Sequence, residues 1–133
     1  MAEKISYASQ HILGEGTNAD IDTNEEDIVS VTVQHLLKNS QLTIYIDTTL
    51  GTHTSMEYRF YYQNEASGTW YAIPKQNIST DLVEEYMAEV NSSTPGAFVI
   101  EFGLGSCFGF KITGKGVGGA NGAATIKILG RDN

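Results

Sequence analysis

The acidic residues between positions 20 and 27 are the side chains best suited to binding a metal ion. An Asp-x-Asp run begins at Asp20, and three further carboxylates follow within the segment. Calcium prefers carboxylate oxygens, but an EF-hand loop needs glycine at its sixth position and glutamate at its twelfth. Counted from Asp20, these positions hold Glu25 and Val31, so the EF-hand template fails. A looser calcium site stays open, and a solvated acidic loop is the ordinary interpretation of such a run.

The glycine-rich segment 114–122, GKGVGGANG, has the composition of a phosphate-binding loop. A phosphate loop opens a helix whose first N–H groups hold the anion, and its last glycine is followed by Lys and then Ser or Thr. Here the alternating stretch ATIKIL follows, which is typical of a strand. The segment is therefore predicted to be a mobile hairpin tip, where glycine allows close approach to a neighbour.

No other residues show the spacing of a catalytic or zinc site. Cys107 is the one cysteine, which excludes an intramolecular disulfide, and its apolar neighbours are typical of a small buried residue. The histidines are scattered: His11, His35 and His53. Carboxylates for glycoside hydrolysis need only converge in space, but nothing distinguishes the available ones from surface charges: Glu57, Glu84, Glu85 and Glu101. We therefore expect no enzymatic activity, no cofactor and no metal ion.

The charge balance narrows the range of partners. Eight basic and sixteen acidic residues among 133 give a formal charge of −8. Binding to phosphate backbones or to anionic lipid requires clustered Lys and Arg, so neither nucleic acid nor membrane is expected as a partner. The first ten residues, MAEKISYASQ, lack the basic start and apolar run of a signal peptide. A chain of this length is expected to form one domain.

The run from Leu42 to Pro74 predicts the fold class, because its apolar residues alternate with polar ones. Successive side chains of a strand point to opposite faces, so alternation indicates strands with one buried face. One parity is expected to fill the core: Leu42, Ile44, Ile46, Met56, Tyr58, Phe60 and Tyr62. Further alternating runs precede and follow, from Ile28 and at Ala97–Phe102, Phe108–Thr113 and Ala123–Leu129.

Residues 79–91 break this alternation, since Leu82, Val83, Tyr86, Met87 and Val90 recur at helical spacing. Asp81 and Glu84 also fit a capping box. The sequence thus predicts an all-β protein, a single antiparallel β-sandwich or jelly-roll-like domain of about seven or eight strands, with one short helical crossover near 80–91. Residues 1–27 are interpreted as an N-terminal arm or edge segment, with a solvated loop from Gly14 onward. The sandwich domain spans 28–133.

Tyrosines of the opposite parity indicate a binding surface. Tyr45, Tyr61 and Tyr71 are predicted to share an exposed face, and exposed aromatics at this density are typical of interfaces. A sugar-stacking platform is the open alternative. With the arm and the glycine-rich tip added, the candidate interface residues are Ile5, Tyr7, Tyr45, Tyr61, Tyr71, Lys115, Val117 and Asn121.

Two segments carry a family resemblance: LTIYIDTTLGTHTSMEYRFYYQNEASGTWYAIP and FGFKITGKGVGGANGAATIKILGRDN. Together they resemble small β-sandwich structural proteins encoded in the virion gene clusters of tailed bacteriophages. The chain departs from the commoner turn of that group, which carries Asp-Gly before the tryptophan. The resemblance implies a non-enzymatic capsid decoration protein, made in the host cytoplasm and located in the virion. It would bind the major capsid protein or other virion proteins as a homo-oligomer, with a trimer favoured.

Three alternatives to decoration stay open. The resemblance equally allows a head–tail connector or tail component. The exposed tyrosines also suit a carbohydrate- or receptor-binding domain of a fibre or adhesin. A hydrolase built on a jelly roll would require a cleft with convergent carboxylates.

Overall fold

The computed structural model of the chain describes residues 10–32, 39–65, 68–77, 82–103 and 108–132. These ranges contain eleven strands and no helix, so the expected number of seven or eight was too low. The strands are β1 (Gln10–Ile21), β2 (Glu26–Val31), β3 (Asn39–Thr49), β4 (Ser55–Gln63), β5 (Trp70–Ala72), β6 (Pro74–Asn77), β7 (Leu82–Glu85), β8 (Met87–Asn91), β9 (Ala97–Gly103), β10 (Gly109–Val117) and β11 (Gly122–Asp132).

Two antiparallel sheets form a β-sandwich. One has the order β1-β11-β3-β9, and the other has the order β2-β10-β4-β5, with β8 pairing along the remaining length of β4. The pairing is nested: the first strand pairs with the last, β2 with β10, β3 with β9, and β4 with β5 and β8. This is the strand order of a jelly roll. The strands β6 and β7 pair only with each other among the described elements.

The core lies between the two sheets, and the alternation in the sequence predicted its central part correctly. Six of the seven predicted residues are buried, and Tyr62 is half-buried against them. Ile126 and Ile128 of β11 continue the layer beside β3, and Phe110 and Ile112 of β10 continue the layer beside β4. Apolar side chains that alternate along each strand thus form one continuous core.

The helical crossover predicted near 80–91 is wrong, because β7 and β8 occupy this region. Tyr86 and Ala88 pack against the core and Val90 is buried, which is the period of a strand. Met87 lies on the opposite face and is exposed. The helical interpretation counted Met87 as apolar packing and overlooked the small Ala88, so an interrupted strand gave a helical spacing.

The solvated loop predicted from Gly14 onward is also wrong in its first half. Gly14 lies within β1, which forms the edge of the four-stranded sheet beside β11, and Leu13 and Ile21 of this strand are buried. In place of a short edge strand followed by a loop, residues 10–21 form one long strand. The division of the chain at residue 27 stays a prediction. Five residues named in the sequence analysis lie outside the described ranges: Ile5, Tyr7, His35, Asp81 and Cys107.

Candidate functional site

The three tyrosines predicted to share a face do not do so. Tyr45 lies on β3 in the four-stranded sheet, whereas Tyr61 and Tyr71 belong to β4 and β5 of the other sheet. Tyr71 pairs with Tyr62 and Tyr61 with Ala72, so the two also have opposite parity. Tyr45 and Tyr71 are exposed, while Tyr61 is half-buried. Parity predicts the side of a strand, but not the sheet to which it belongs.

Tyr61 lies at the centre of a polar network on the outer face of the five-stranded sheet. Its hydroxyl donates to Glu25 Oε2 at 2.5 Å, and the Thr113 hydroxyl donates to the same oxygen at 2.8 Å. Arg59 Nε lies 3.4 Å from Glu85 Oε1, and Arg59 Nη1 lies 3.3 Å from Glu57 Oε1. The loop before β2 is thereby attached to β4 and β10.

This network shifts the ionisation of its members. Burial tends to raise the pKa of Glu25, but the hydrogen bonds from Tyr61 and Thr113 and the nearby Arg59 and Lys111 outweigh it and lower the pKa. Burial, and then the Glu25 carboxylate, raise the pKa of Tyr61. Glu25 is thus held as a carboxylate and Tyr61 as a phenol. This pairing suits a structural contact better than proton transfer.

Lys111 covers the aromatic rings of this face. Its ammonium group lies 5.2 Å from the centroid of the Tyr61 ring and 4.7 Å from that of Trp70. Both distances are within the range of cation–π attraction. The same ammonium group lies 3.5 Å from the Asp27 carboxylate. The two rings are therefore partly engaged by the protein's own lysine, which leaves them less available for stacking on a ligand.

The outer face of the four-stranded sheet carries an open depression beside Tyr45. The depression has a volume of about 490 Å³ and is lined by residues of three adjacent strands: Tyr45, Ile46, Asp47, Ala97, Phe98, Val99, Thr125 and Lys127. Tyr45 lies opposite Val99 on one side and opposite Lys127 on the other. The next row is Thr125, Asp47 and Ala97, where the small alanine leaves space. We call this surface the Tyr45 depression.

Most polar groups of the Tyr45 depression are available to a partner, whereas the Thr125 hydroxyl lies 3.3 Å from that of Thr17. Within the described part of the chain, no hydrogen bond or ion pair engages the side chains of Tyr45, Asp47 or Lys127. Val99 is 51% exposed and Tyr45 is 44% exposed. An apolar centre with an acid, a base and a hydroxyl at its rim has the composition of a binding site. This surface, rather than the Tyr61 face, is the candidate functional site.

The glycine-rich tip is held in place by the loop between β3 and β4. Thr52 N–H donates to the Ala120 carbonyl at 3.0 Å, and Thr54 N–H donates to the Val117 carbonyl at 2.9 Å. The predicted mobile tip is thus confined to residues 118–121, and these are fastened. Lys115 lies within β10 opposite Glu57, while Asn121 is exposed at the tip with a φ of 61°.

His53 explains the glycines. Its ring is buried, with Nε2 2.8 Å from the Ile21 carbonyl and Nδ1 accepting the Gly119 N–H at 3.2 Å. A Cβ atom on Gly116 would lie 2.2 Å from this ring, and one on Gly122 would lie 2.8 Å from it. In the sequence, the histidine and the glycines show no connection. The available signal is that the β10–β11 hairpin carries several glycines and that the β3–β4 loop carries one histidine, which indicates a ring packed against the hairpin backbone.

In the described ranges, no group of three His, Cys, Asp or Glu side chains is placed to hold a metal ion. No helix among the described residues is long and apolar enough to span a membrane.

Comparisons with known proteins support the fold. The protein is similar to the SPBc2 prophage-derived protein YomS, with 17% identity, a TM-score of 0.52, and coverage of 94% of this chain and 97% of that one. It is also similar to a chain of Triatoma virus, with 7% identity and a TM-score of 0.51, over 100% of this chain and 68% of that one. The vertex protein P5 of PRD1 gives a TM-score of only 0.46 at 12% identity, over 92% and 99% of the two chains. At these identities the likeness shows the fold alone. No protein-family model and no curated protein matches the sequence.

Proposed function

We propose that the protein is a structural component of a tailed-phage virion, a capsid decoration protein that binds the major capsid protein or another virion protein. The Tyr45 depression is the proposed docking surface, and the role is non-enzymatic. It is located in the virion after synthesis in the host cytoplasm, and it acts as a homo-oligomer. The three-fold arrangement implied by the sequence resemblance is part of the proposal.

The observation that carries the proposal is the unpaired aromatic and apolar centre of the Tyr45 depression. Tyr45 and Val99 lie side by side on a sheet face and are exposed, so their burial against a partner would remove apolar surface from water. Asp47 and Lys127 flank them and can align a partner of complementary charge. The fold is shared with a prophage-derived protein and a virus chain, which is compatible with this role.

The test is the protein content of purified particles. Mass spectrometry of gradient-purified virions from a culture that produces the virus carrying this gene should detect the chain as a stoichiometric component. In a binding assay with particles that lack the protein, Tyr45→Ser should weaken attachment by about tenfold or more, since a buried aromatic anchor contributes strongly to an interface. Tyr71→Ser is the matched control on the other sheet and should bind normally.

Absence of the chain from purified virions would refute the virion role. If Tyr71→Ser weakens attachment and Tyr45→Ser does not, the docking surface lies on the five-stranded sheet instead.

A second candidate function, saccharide binding, is favoured by the polar rim of the same depression. A tyrosine ring beside a carboxylate, a hydroxyl and an ammonium group offers both stacking and hydrogen bonding to a sugar. Glycan-array binding that is lost in both Tyr45→Ser and Asp47→Asn, with particle attachment unchanged, would support this function over docking to a virion protein. An array without any signal would reject it.

A further inference from the structure

The strand β9 is an unusually regular sheet edge. It pairs with β3 without a register shift. The other edges are irregular: β1 has register shifts near Gly14 and Asn18, the β2–β10 pairing shifts at Ile112, and the edge beside β4 is divided between β5 and β8. Bulges, breaks and prolines are the devices by which natural sheets prevent edge-to-edge pairing. Among the described strands, β9 lacks them, and its sequence AFVIEFG contains a single charge.

The hydrogen-bond pattern of β3 and β9 shows which backbone groups point outward. Thr48 N–H donates to the Gly96 carbonyl at 2.9 Å, and Asp47 lies opposite Ala97. In an antiparallel pair, both backbone groups of a residue point to the same side, and consecutive residues point to opposite sides. Gly96 points toward β3, so Ala97 points away from it, and so do Val99 and Glu101. Within the described part of the chain, these three residues present unpaired N–H and C=O groups.

We propose that β9 pairs with β9 of a second copy, antiparallel about a two-fold axis at Val99. In this register Val99 faces Val99 of the second copy, and the two exchange both of their outward hydrogen bonds. Ala97 faces Glu101 of the second copy, and each again donates and accepts. The four-stranded sheets of the two copies then form one continuous sheet. A two-fold contact of this kind is self-complementary by symmetry.

The side chains favour this register. Glu101 meets a small alanine, so the single charge on each strand does not face its own copy. On the core side, the half-buried Phe98 faces Ile100 of the second copy, which extends the two cores toward each other. On the outer side, the exposed Val99 lies beside its counterpart, which buries only the flanks of the two side chains. A register shifted by two residues toward Glu101 would place the two carboxylates opposite each other and is disfavoured.

The contact rests on the proposed function, because it specifies how two copies of the homo-oligomer would pair. Tyr45 lies opposite Val99 on β3, so pairing at Val99 brings the two Tyr45 depressions to neighbouring positions on one sheet. Two weak docking surfaces on a rigid support act together, since the second binding event becomes intramolecular. The contact is two-fold, so it leads to even-numbered assemblies rather than to a trimer alone.

Two substitutions at Val99 test the contact. Val99→Pro removes an N–H group that points away from β3, so the ladder within the protein is retained while the contact between copies is broken. Val99→Lys places two ammonium groups at the two-fold axis. Ala19→Lys is the matched control, because it adds the same charge at an exposed position on the opposite edge strand β1.

Sedimentation velocity over a range of concentrations should show an even-numbered species for the wild type and for Ala19→Lys, which is a dimer, or a hexamer where the contact joins two trimers. Both Val99 variants should dissociate about tenfold more readily or more, given the hydrogen bonds lost and the charge introduced. Circular dichroism checks whether each variant is folded. If Val99→Pro does not fold, the result for Val99→Lys decides the outcome.

Amide hydrogen exchange locates the contact. The N–H groups of Ala97, Val99 and Glu101 should be protected in concentrated wild type and exchange rapidly on dilution, whereas those of Phe98 and Ile100 should stay protected by β3. A monomeric wild type at every concentration, a dimer that persists in both Val99 variants, or outward amides protected in a monomer would each overturn the proposal. Val99 also lines the Tyr45 depression, so attachment is not judged from the Val99 variants. The virion role is tested separately with the wild type: a chain that is monomeric in solution but present in purified virions overturns the contact and leaves the virion role intact.

Discussion

His53 connects three parts of the chain that lie far apart in sequence. Its ring accepts a hydrogen bond from the Gly119 N–H and makes another with the Ile21 carbonyl. One side chain in the β3–β4 loop therefore joins the end of β1 to the glycine-rich tip. Because Nδ1 accepts this hydrogen bond, the proton of the neutral ring resides on Nε2 and is donated to Ile21. A residue without any sequence signal of function thus organises one end of the sandwich.

His53→Ala should lower the free energy of unfolding by about 2–4 kcal/mol, because it leaves two backbone groups without their partner and a cavity between glycines. Chemical denaturation monitored by tryptophan fluorescence measures the change. Thr54→Ala removes one exposed hydrogen bond to Val117 in the same loop and should cost less than about 1 kcal/mol. Equal losses in the two variants would show that the ring does not have this role.

The Glu25–Tyr61 pair makes stability depend on pH in two directions. The folded state lowers the pKa of Glu25 below its ordinary value of 4.5, so its contribution to stability is present above pH 4.5 and is lost as the pH falls through the lowered value. The folded state raises the pKa of Tyr61, so its contribution is present below pH 10 and is lost as the pH rises through the raised value.

Glu25→Gln should therefore flatten the acid limb of a plot of unfolding free energy against pH. It should also lower the pH at which Tyr61 ionises, because the negative charge that accepts the Tyr61 hydrogen bond is absent. Tyrosinate absorbance, compared with that of Tyr61→Phe, reports the second effect. Tyr58 is the internal reference, since burial raises its pKa to about 12 independently of Glu25. An acid limb that is unchanged in Glu25→Gln contradicts the role of this pair.

At the scale of elements, two glycines of β1 allow this strand to lie against β2. A Cβ atom on Gly16 would lie 2.1 Å from the Ile28 carbonyl oxygen, and one on Gly14 would lie 2.4 Å from a methyl group of Val31. The Ile28 oxygen is a backbone atom and moves only with its strand, whereas a valine methyl group can be displaced by side-chain rotation. Close approach at Gly16 is therefore the stricter requirement.

Gly16→Ala should cost about 1–3 kcal/mol of stability, as overpacking of a well-packed interior does, and Gly14→Ala should cost less. Thermal unfolding followed by circular dichroism ranks the two variants. An equal cost, or a larger cost at Gly14, would mean that β1 shifts as a whole and does not depend on the backbone contact at Gly16.

Local alternation predicts elements better than it predicts their arrangement. The buried parity of β3 and β4 follows from residues such as Ile44 and Phe60, because period two has a direct physical cause. The region of β7 and β8 was misassigned, since the large Met87 is exposed while the small Ala88 packs against the core, so apolar size does not follow burial there. The separation of Tyr45 from Tyr61 was beyond prediction, because the sheet that a strand joins depends on pairing with distant residues.

The candidate site shows the same division. Tyr45 could be predicted, because it lies on the exposed parity of its strand in a segment rich in aromatic residues. The pairing of β3 with β9 and β11 is what brings Val99 and Lys127 beside it. Lys111 engages the aromatic rings on the opposite face through a register that no local pattern encodes. Chemistry that depends on neighbouring strands is available only from the fold.

At the scale of the whole molecule, the nested pairing places the two ends of the described chain in adjacent strands. The first strand, β1, and the last, β11, lie side by side, and the buried residues of β1 extend from Leu13 to Ile21. The four-stranded sheet is complete only when the last strand, β11, has paired with the first, β1. The contribution of the N-terminal region to folding is therefore separable from its predicted contribution to binding.

Removal of residues 1–9 should leave the thermal unfolding midpoint nearly unchanged, because every strand that the structure describes is retained. Removal of residues 1–21 should abolish cooperative unfolding, since it eliminates β1, exposes one edge of β11 and deletes two buried core residues. Circular dichroism melting curves distinguish these outcomes. If the shorter deletion folds normally but no longer attaches to virions, Ile5 and Tyr7 belong to the interface, as the arm hypothesis predicts. If it attaches normally, the interface lies on the sandwich, and the Tyr45 depression becomes the surface to examine.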